Sequence, residues 1–160
     1  MRLADPAYPP SNRAPLVWAL GAAIPLAFLV VAQVFWYVLD GRLPWLHGLV
    51  AVATAVIGLI FVVIVPLWRF RVHRWEISPQ AVYTRTGWLT QERRIAPISR
   101  VQTVDSRQGA LMRLFGLASI TVTTASAAGP ITVNCLDADT ARHVVARLTA
   151  ITAATEDDAT

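Results

Sequence analysis

Two apolar runs, Leu16–Leu39 and Leu46–Leu67, restrict this chain more than any other feature of it. Neither contains an Asp, Glu, Lys or Arg, and the polar break Asp40-Gly41-Arg42 lies between them. At about 1.5 Å rise per residue, each run taken as a helix reaches roughly 30 Å or more, the thickness of a bilayer's hydrocarbon core. A helix satisfies its own backbone donors and acceptors where there is no water, so the pattern predicts a transmembrane helical hairpin. A cleaved signal peptide has an apolar region of only about 7–15 residues ahead of a small-residue cleavage site. Leu16–Leu39 is longer and ends in Phe35-Trp36-Tyr37, which is no such site.

The rest of the hairpin chemistry agrees. Trp18 lies near the start of the first run and Trp36 and Tyr37 near its end, while Trp45 opens the second run and Trp68 closes it. Amphipathic rings prefer headgroup level, so these five residues are the expected interfacial anchors. Pro44 suits the first turn of the second helix, and Pro25 should kink the first by removing a backbone hydrogen bond. Ala19, Ala23 and Ala27, with Ala51, Ala55 and Gly58, either form small faces for close helix approach or reflect an alanine-rich chain. Gln33 and Thr54, polar and un-ionised inside the spans, read as helix–helix glue; a transporter or channel needs more. Arg13 precedes the first span and Arg69, Arg71 and Arg74 lie beyond the second, against Arg42 beside Asp40 in the loop. Positive residues stay inside, so both termini are expected in the cytoplasm of a multi-pass cell-membrane protein.

At 160 residues and 55% hydrophobic content, with a mean hydropathy of +0.50, the chain is too apolar for an ordinary soluble domain. The segment after Trp68 is long enough for one small domain. The single cysteine, Cys135, excludes an intramolecular disulfide and a cysteine-based metal site, and it suits a cytosolic domain with its thiol turned to the core. Residues 1–13 are polar and proline-rich, without apolar period, and are expected to form a disordered cytoplasmic lead; Ser11 or Asn12 can cap the first helix.

From Val72 onward short alternating runs are broken by turn residues, a strand signature. Val72–Ile77, Ala81–Arg85, Trp88–Ile95, Val101–Ser106, Leu117–Thr124 and Ile131–Leu136 are the predicted strands, with a hairpin turn at Thr86-Gly87. Leu111–Phe115 reads as one helical turn stopped by Gly116. Asp137 can cap a last helix whose apolar stripe is Ala141, Val144, Val145, Leu148 and Ile151, and the tail Glu156-Asp157-Asp158 is acidic. Antiparallel strands closed by one amphipathic helix describe a small β-sandwich or barrel with a helical plug.

Three stretches carry a resemblance: Arg94-Ile95-Ala96-Pro97-Ile98-Ser99-Arg100-Val101-Gln102-Thr103-Val104, Gln108-Gly109-Ala110-Leu111-Met112-Arg113-Leu114-Phe115-Gly116-Leu117-Ala118, and Ile120-Thr121-Val122-Thr123-Thr124-Ala125. In that order behind a hairpin, they resemble the bacterial pleckstrin-homology-like (PH-like) membrane proteins, in particular the small YdbS-like branch, over about Val72–Ile151. The resemblance implies a membrane α-helical hairpin plus a β-rich PH-like domain of two orthogonal antiparallel sheets capped by a C-terminal helix. It also implies a companion, a larger membrane protein with several such domains, and a role in withstanding envelope-directed antimicrobial agents. It brings no catalytic residues. The Ala/Thr-rich edge Thr123–Ala128 departs from the more polar hairpin of relatives. The expected organisation is a lead over 1–13, a hairpin over 14–68, a PH-like domain over 69–152 and a disordered acidic tail over 153–160.

No catalytic, cofactor or metal site is predicted. His47, His73 and His143 are far apart in sequence, and the hydroxyls of Thr121–Ser126 lack a nucleophile elbow or matched base. Between Arg69 and Arg113, nine arginines face three carboxylates. Arg69, Arg71 and Arg74, with Arg93 and Arg94, are therefore the candidates for contact with membrane lipids or an anionic headgroup; topology enforcement and solvated strands are the plainer alternative. Nucleic acid is a poor partner for a tethered domain without a basic–aromatic platform. The expected function is a non-enzymatic, membrane-anchored scaffold or interaction module, as a homo- or hetero-oligomer, and the rival is a module that binds anionic lipid headgroups at the inner leaflet.

Overall fold

The computed structural model describes residues 6–87, 90–126 and 129–157. Two compact bodies result: Pro15–Trp68, and the described parts of Met1–Ala14 with Arg69–Thr160. Trp88 at the start of a predicted strand, Ala127 and Ala128 of the Thr123–Ala128 edge, and residues 158–160 of the expected tail lie outside the described residues.

The first body is the predicted hairpin. Its helices are α1 (Ala14–Leu39, mean hydropathy 2.2) and α2 (Pro44–Val72, mean hydropathy 2.9). Pro25 sits within α1, which runs on past it as helix. In α2 the break in the regular ladder comes at Leu59–Ile64, a π-helical segment whose end is marked by the Val65 N–H donating to the Ile60 carbonyl. The physical cause is Pro66: its ring lacks an N–H and would strike the carbonyl four residues back, and a wider turn relieves that contact. Gly58 lets the helices close up, since a Cβ there would stand 2.7 Å from Leu26 Cδ2. At mid-span Gln33 Nε2 donates to Thr54 Oγ1, and the Thr54 hydroxyl donates to the Val50 carbonyl at 2.9 Å. The two polar residues thus join the helices, the role their isolation predicts.

The second body has two three-stranded antiparallel sheets, in order β1-β2-β3 and β4-β5-β6. The strands are β1 (Arg74–Ile77), β2 (Ala81–Gly87), β3 (Gln91–Pro97), β4 (Val101–Arg107), β5 (Leu117–Thr124) and β6 (Ile131–Asp137). A short helix α3 (Ala110–Leu114) precedes β5, and α4 (Ala138–Asp157) closes the chain. The first predicted strand begins two residues late because α2 continues through Arg69 and Arg71 to Val72. Likewise α4 runs to Asp157, past the expected end of the domain at residue 152.

Alternation explains the core. Val82 and Ala96 face inward from β2 and β3, Ile120 and Val122 from β5, Ile131 and Val133 from β6, and Ala141, Val144 and Leu148 of α4 cover them. Cys135 departs from the pattern. The register of β5 and β6 shifts between Ala118 and Ile120, and Cys135 takes a left-handed φ of 58°. This bulge gives Leu136 the core position, and Cys135 is fully buried without joining that cluster. At the β2–β3 turn Gly87 has φ +121°, and a Cβ there would lie 1.9 Å from the Thr90 carbonyl oxygen, so only glycine fits.

Residues 7–13, expected as part of a disordered lead, are instead a strap on this body. Tyr8 and Trp75 exchange backbone hydrogen bonds of 3.0 and 2.8 Å, and the Ser11 N–H donates to the Cys135 carbonyl at 2.9 Å. The strap therefore reaches from β1 of one sheet to β6 of the other. Side chains fasten it: Trp75 Nε1 donates to the Pro9 carbonyl, Ser11 Oγ to Asp137, and the Arg13 guanidinium to the Phe115 carbonyl. Prolines suit such a segment because an edge strand of this kind needs few N–H groups.

Candidate functional site

The five predicted arginines fall into two places. Arg69, Arg71 and Arg74 lie at the end of α2, where the last carbonyls of a helix need partners. Arg74 spends its guanidinium there, donating to the Phe70 carbonyl at 3.0 Å and the His73 carbonyl at 2.8 Å. Arg85 reaches across from β2 and donates to the Val72 carbonyl at 3.0 Å. Cations at a helix C-terminus also complement its dipole. Arg69 is partly buried, and Arg71 alone of the three is exposed. Next to them His73 is buried, with its Nδ1 2.8 Å from the Arg69 carbonyl. Burial first, and then the neighbouring Arg69 charge, hold the His73 imidazole below its ordinary pKa, with the backbone hydrogen bond opposing them.

Arg93 and Arg94 are elsewhere, on β3, and there the structure adds residues that sequence reasoning did not select. Among the described residues β3 is paired only with β2, leaving its other edge open. Beside that edge is a cleft of about 360 Å³, lined from β3 by Glu92, Arg93, Arg94 and Ala96, from the second sheet by Thr124 and Ile131 and from the segment after β5 by Ser126, with Arg100 also in the lining. Of the lining residues, Ala96 and Ile131 belong to the core and are almost wholly buried. Arg94 is held in place: Nε donates to Glu92 Oε1 at 2.6 Å and a terminal nitrogen to the Pro130 carbonyl at 3.0 Å. Arg100 stood within the quoted Arg94–Val104 stretch, but nothing local to it indicates that the 3-10 turn Ile98–Arg100 would bring it beside β3.

The predicted anchors sort to the two ends of the hairpin. Trp36, Tyr37 and Trp45 flank the turn, where the His47 ring lies 4.2 Å from that of Trp36 and 5.3 Å from that of Tyr37. His47 Nε2 is 2.7 Å from the Asp40 carbonyl oxygen, tying the turn together. Trp18 and Trp68 mark the opposite ends of their helices by position in the chain. Along the helix seam, Ala23, Gln33, Ala51, Thr54, Ala55 and Gly58 line part of a groove of about 480 Å³.

A hairpin leading into two three-stranded sheets and a closing helix is the arrangement that the resemblance implies, and the family model for the bacterial PH domain matches residues 16–151, hairpin included. The chain belongs to the bacterial PH-domain family. It is also 29% identical over 109 residues to the UPF0699 transmembrane protein YdbS of Bacillus subtilis (strain 168), covering 68% of this chain and 69% of that one. No solved structure matches. This bacterial PH-domain protein is therefore a membrane-associated PH-like module whose two apolar helices are its candidate spans.

Proposed function

We propose that this bacterial PH-domain protein is a non-enzymatic scaffold that assembles in the bilayer with a partner membrane protein, a larger one carrying several PH-like domains. The observation that carries the reading is the groove along the α1–α2 seam, with its small side chains and the Gln33 amide. Lipid tails are as apolar as leucine, so helices associate in a bilayer through close packing and interhelical hydrogen bonds, and a small-residue groove with an amide supplies both. Residues before α1 and after α2 share one folded body, which supports an even number of crossings. The arginine bias supports a cytoplasmic placement of that body.

Affinity purification in mild detergent tests the assembly. A multi-domain PH-like protein should be recovered with the wild type and lost with Ala51→Leu/Ala55→Leu, which fills the groove. Recovery of the wild-type chain alone sinks the reading. A second reading, attraction to an anionic inner leaflet, is favoured by Arg71, which is exposed at the end of α2. Such an arginine contributes about 1 kcal/mol near an anionic surface.

A further inference from the structure

The groove along the α1–α2 seam presents a polar atom for which the hairpin itself has no partner. We infer, resting on the proposed assembly, that the occupant of this groove is a transmembrane helix of the partner that carries a carboxamide, an Asn or Gln, at the level of Gln33.

Hydrogen-bond directions fix the chemistry. The Thr54 hydroxyl commits its one hydrogen to the Val50 carbonyl at 2.9 Å, so toward Gln33 its oxygen can only accept. Gln33 therefore presents Nε2 to Thr54, which turns Oε1 away. Among the described residues, the bond to Thr54 is the single hydrogen bond of the Gln33 side chain, and Oε1 has no donor. No enclosed side-chain nitrogen or oxygen among those residues lacks a partner, so the free oxygen opens on the groove that Gln33 lines. Gln33 lies within the charge-free run Leu16–Leu39, where no water replaces the missing donor. Nε2 carries two hydrogens and uses one on Thr54, which leaves an acceptor and an N–H on the same amide.

Few side chains answer both. Serine and threonine in a helix commit their hydroxyl hydrogen to a carbonyl one turn back, as Thr54 does. Tryptophan has a donor and no acceptor, and a charged side chain is costly to hold in hydrocarbon. A carboxamide supplies the donor and the acceptor together. Shape then separates a foreign helix from a second copy. Ala23, Ala51, Ala55 and Gly58 leave a groove of about 480 Å³, which lets a helix backbone come close enough for a short side chain to reach Oε1. Gln33 is the single carboxamide in the two apolar runs, and it sits in the groove itself. On a twofold axis the same patch meets itself, so two copies would set groove against groove and enclose empty space.

The test uses the full chain with a C-terminal fluorophore in phosphatidylcholine liposomes. Energy transfer is read to trace amounts of two labelled, lysine-flanked Leu/Ala transmembrane peptides, one with a single Asn at the depth of Gln33 and one with Leu in its place. The Asn peptide should bind wild type roughly 3- to 30-fold more tightly, the range of one interhelical hydrogen bond in a bilayer. Gln33→Leu should bind the two peptides alike. Moving the Asn toward the other end of the peptide, which leaves the protein untouched, should also remove the preference, so the outcome does not hang on the folding of a variant. Equal binding of both peptides by wild type, or an Asn preference that survives Gln33→Leu, would overturn the inference. So would energy transfer between two labelled copies that Gln33→Leu abolishes, since the occupant would then be a second copy. If a multi-domain partner is recovered in detergent and the peptides still bind alike, the assembly stands and this inference fails; if the chain is purified alone yet prefers the Asn peptide, the assembly fails and the recognition chemistry is supported.

Discussion

Tyr8→Ala/Ser11→Ala should release the strap while leaving the sheets folded. The Ser11 hydroxyl donates to Asp137 Oδ1 at 2.8 Å. A hydrogen bond to a charged group contributes about 1.5–3 kcal/mol when both partners stay dry. Asp137 is exposed and regains water when the hydroxyl is removed, which brings the loss down to about 1 kcal/mol. The Tyr8 ring lies 5.6 Å from that of Trp75 at a tilt of 39° and is 57% exposed, so it adds the lower part of an aromatic pair's worth, about 0.5–1 kcal/mol. The two contacts share no partner and should add, to roughly 1.5–2 kcal/mol.

That sum raises the open population of the strap about 10- to 30-fold. Hydrogen exchange reads it directly, because the Tyr8 and Ser11 amides donate to the Trp75 and Cys135 carbonyls. Both should exchange faster by that factor, while the amides of the paired strands β2 and β5 hold their rates. Unchanged exchange at Ser11 would show that the strap contacts contribute nothing. A uniform increase over the whole domain would show that the strap has no opening of its own, and the reasoning would fail either way.

Three other outcomes rest on single positions. Burial holds the folded His73 below its ordinary pKa, so the unfolded chain takes up its proton first as pH falls: stability is full above about pH 6.5 and falls as pH drops toward the depressed value. Thermal melts at pH 7.5 and 5 should show this acid loss, and His73→Asn should reduce it. Gly87→Ala places a methyl where the Thr90 carbonyl stands, at φ +121°; a cost of about 3 kcal/mol or more should lower Tm by about 10–20 °C, and a shift under a few degrees would contradict the turn geometry. In intact cells Ser126→Cys, at an exposed position, should react with an impermeant maleimide only after lysis; strong labelling beforehand would reverse the proposed orientation.

Periodic signals were legible in the sequence and non-local ones were not. Charge-free runs gave the hairpin, alternation gave β5 within its observed bounds, and Gly116 with φ +67° stops the short helix as expected. The stripe Ala141–Leu148 indeed packs on the core. The strap, by contrast, is held by contacts 66 and 126 residues apart in sequence, and no local pattern encodes them. The continuation of α2 through Arg69 and Arg71 was hidden for a related reason. Charges in its last turn read as the end of a span, yet Arg74 and Arg85 supply the partners that let the helix go on. The cleft was half visible: Arg93 and Arg94 stood out as a pair, but Arg100 joins them only through the tertiary path of the chain.

The strap adds a constraint on the topology. Charge bias is one signal among several. The fold supplies a separate constraint. Residues 7–13 hydrogen-bond to β1, β6 and the Phe115 carbonyl, so the segment ahead of α1 and the domain behind α2 cannot be parted by a bilayer while that body is folded. In the proposed topology a charge change in the loop, such as Asp40→Arg, can therefore invert the whole molecule or leave it alone, but it cannot strand one terminus without unfolding the strap. In that topology the count of positive residues selects the side the body occupies, and the hydrogen bonds between strap and sheets keep residues 7–13 on the same side as the domain behind α2.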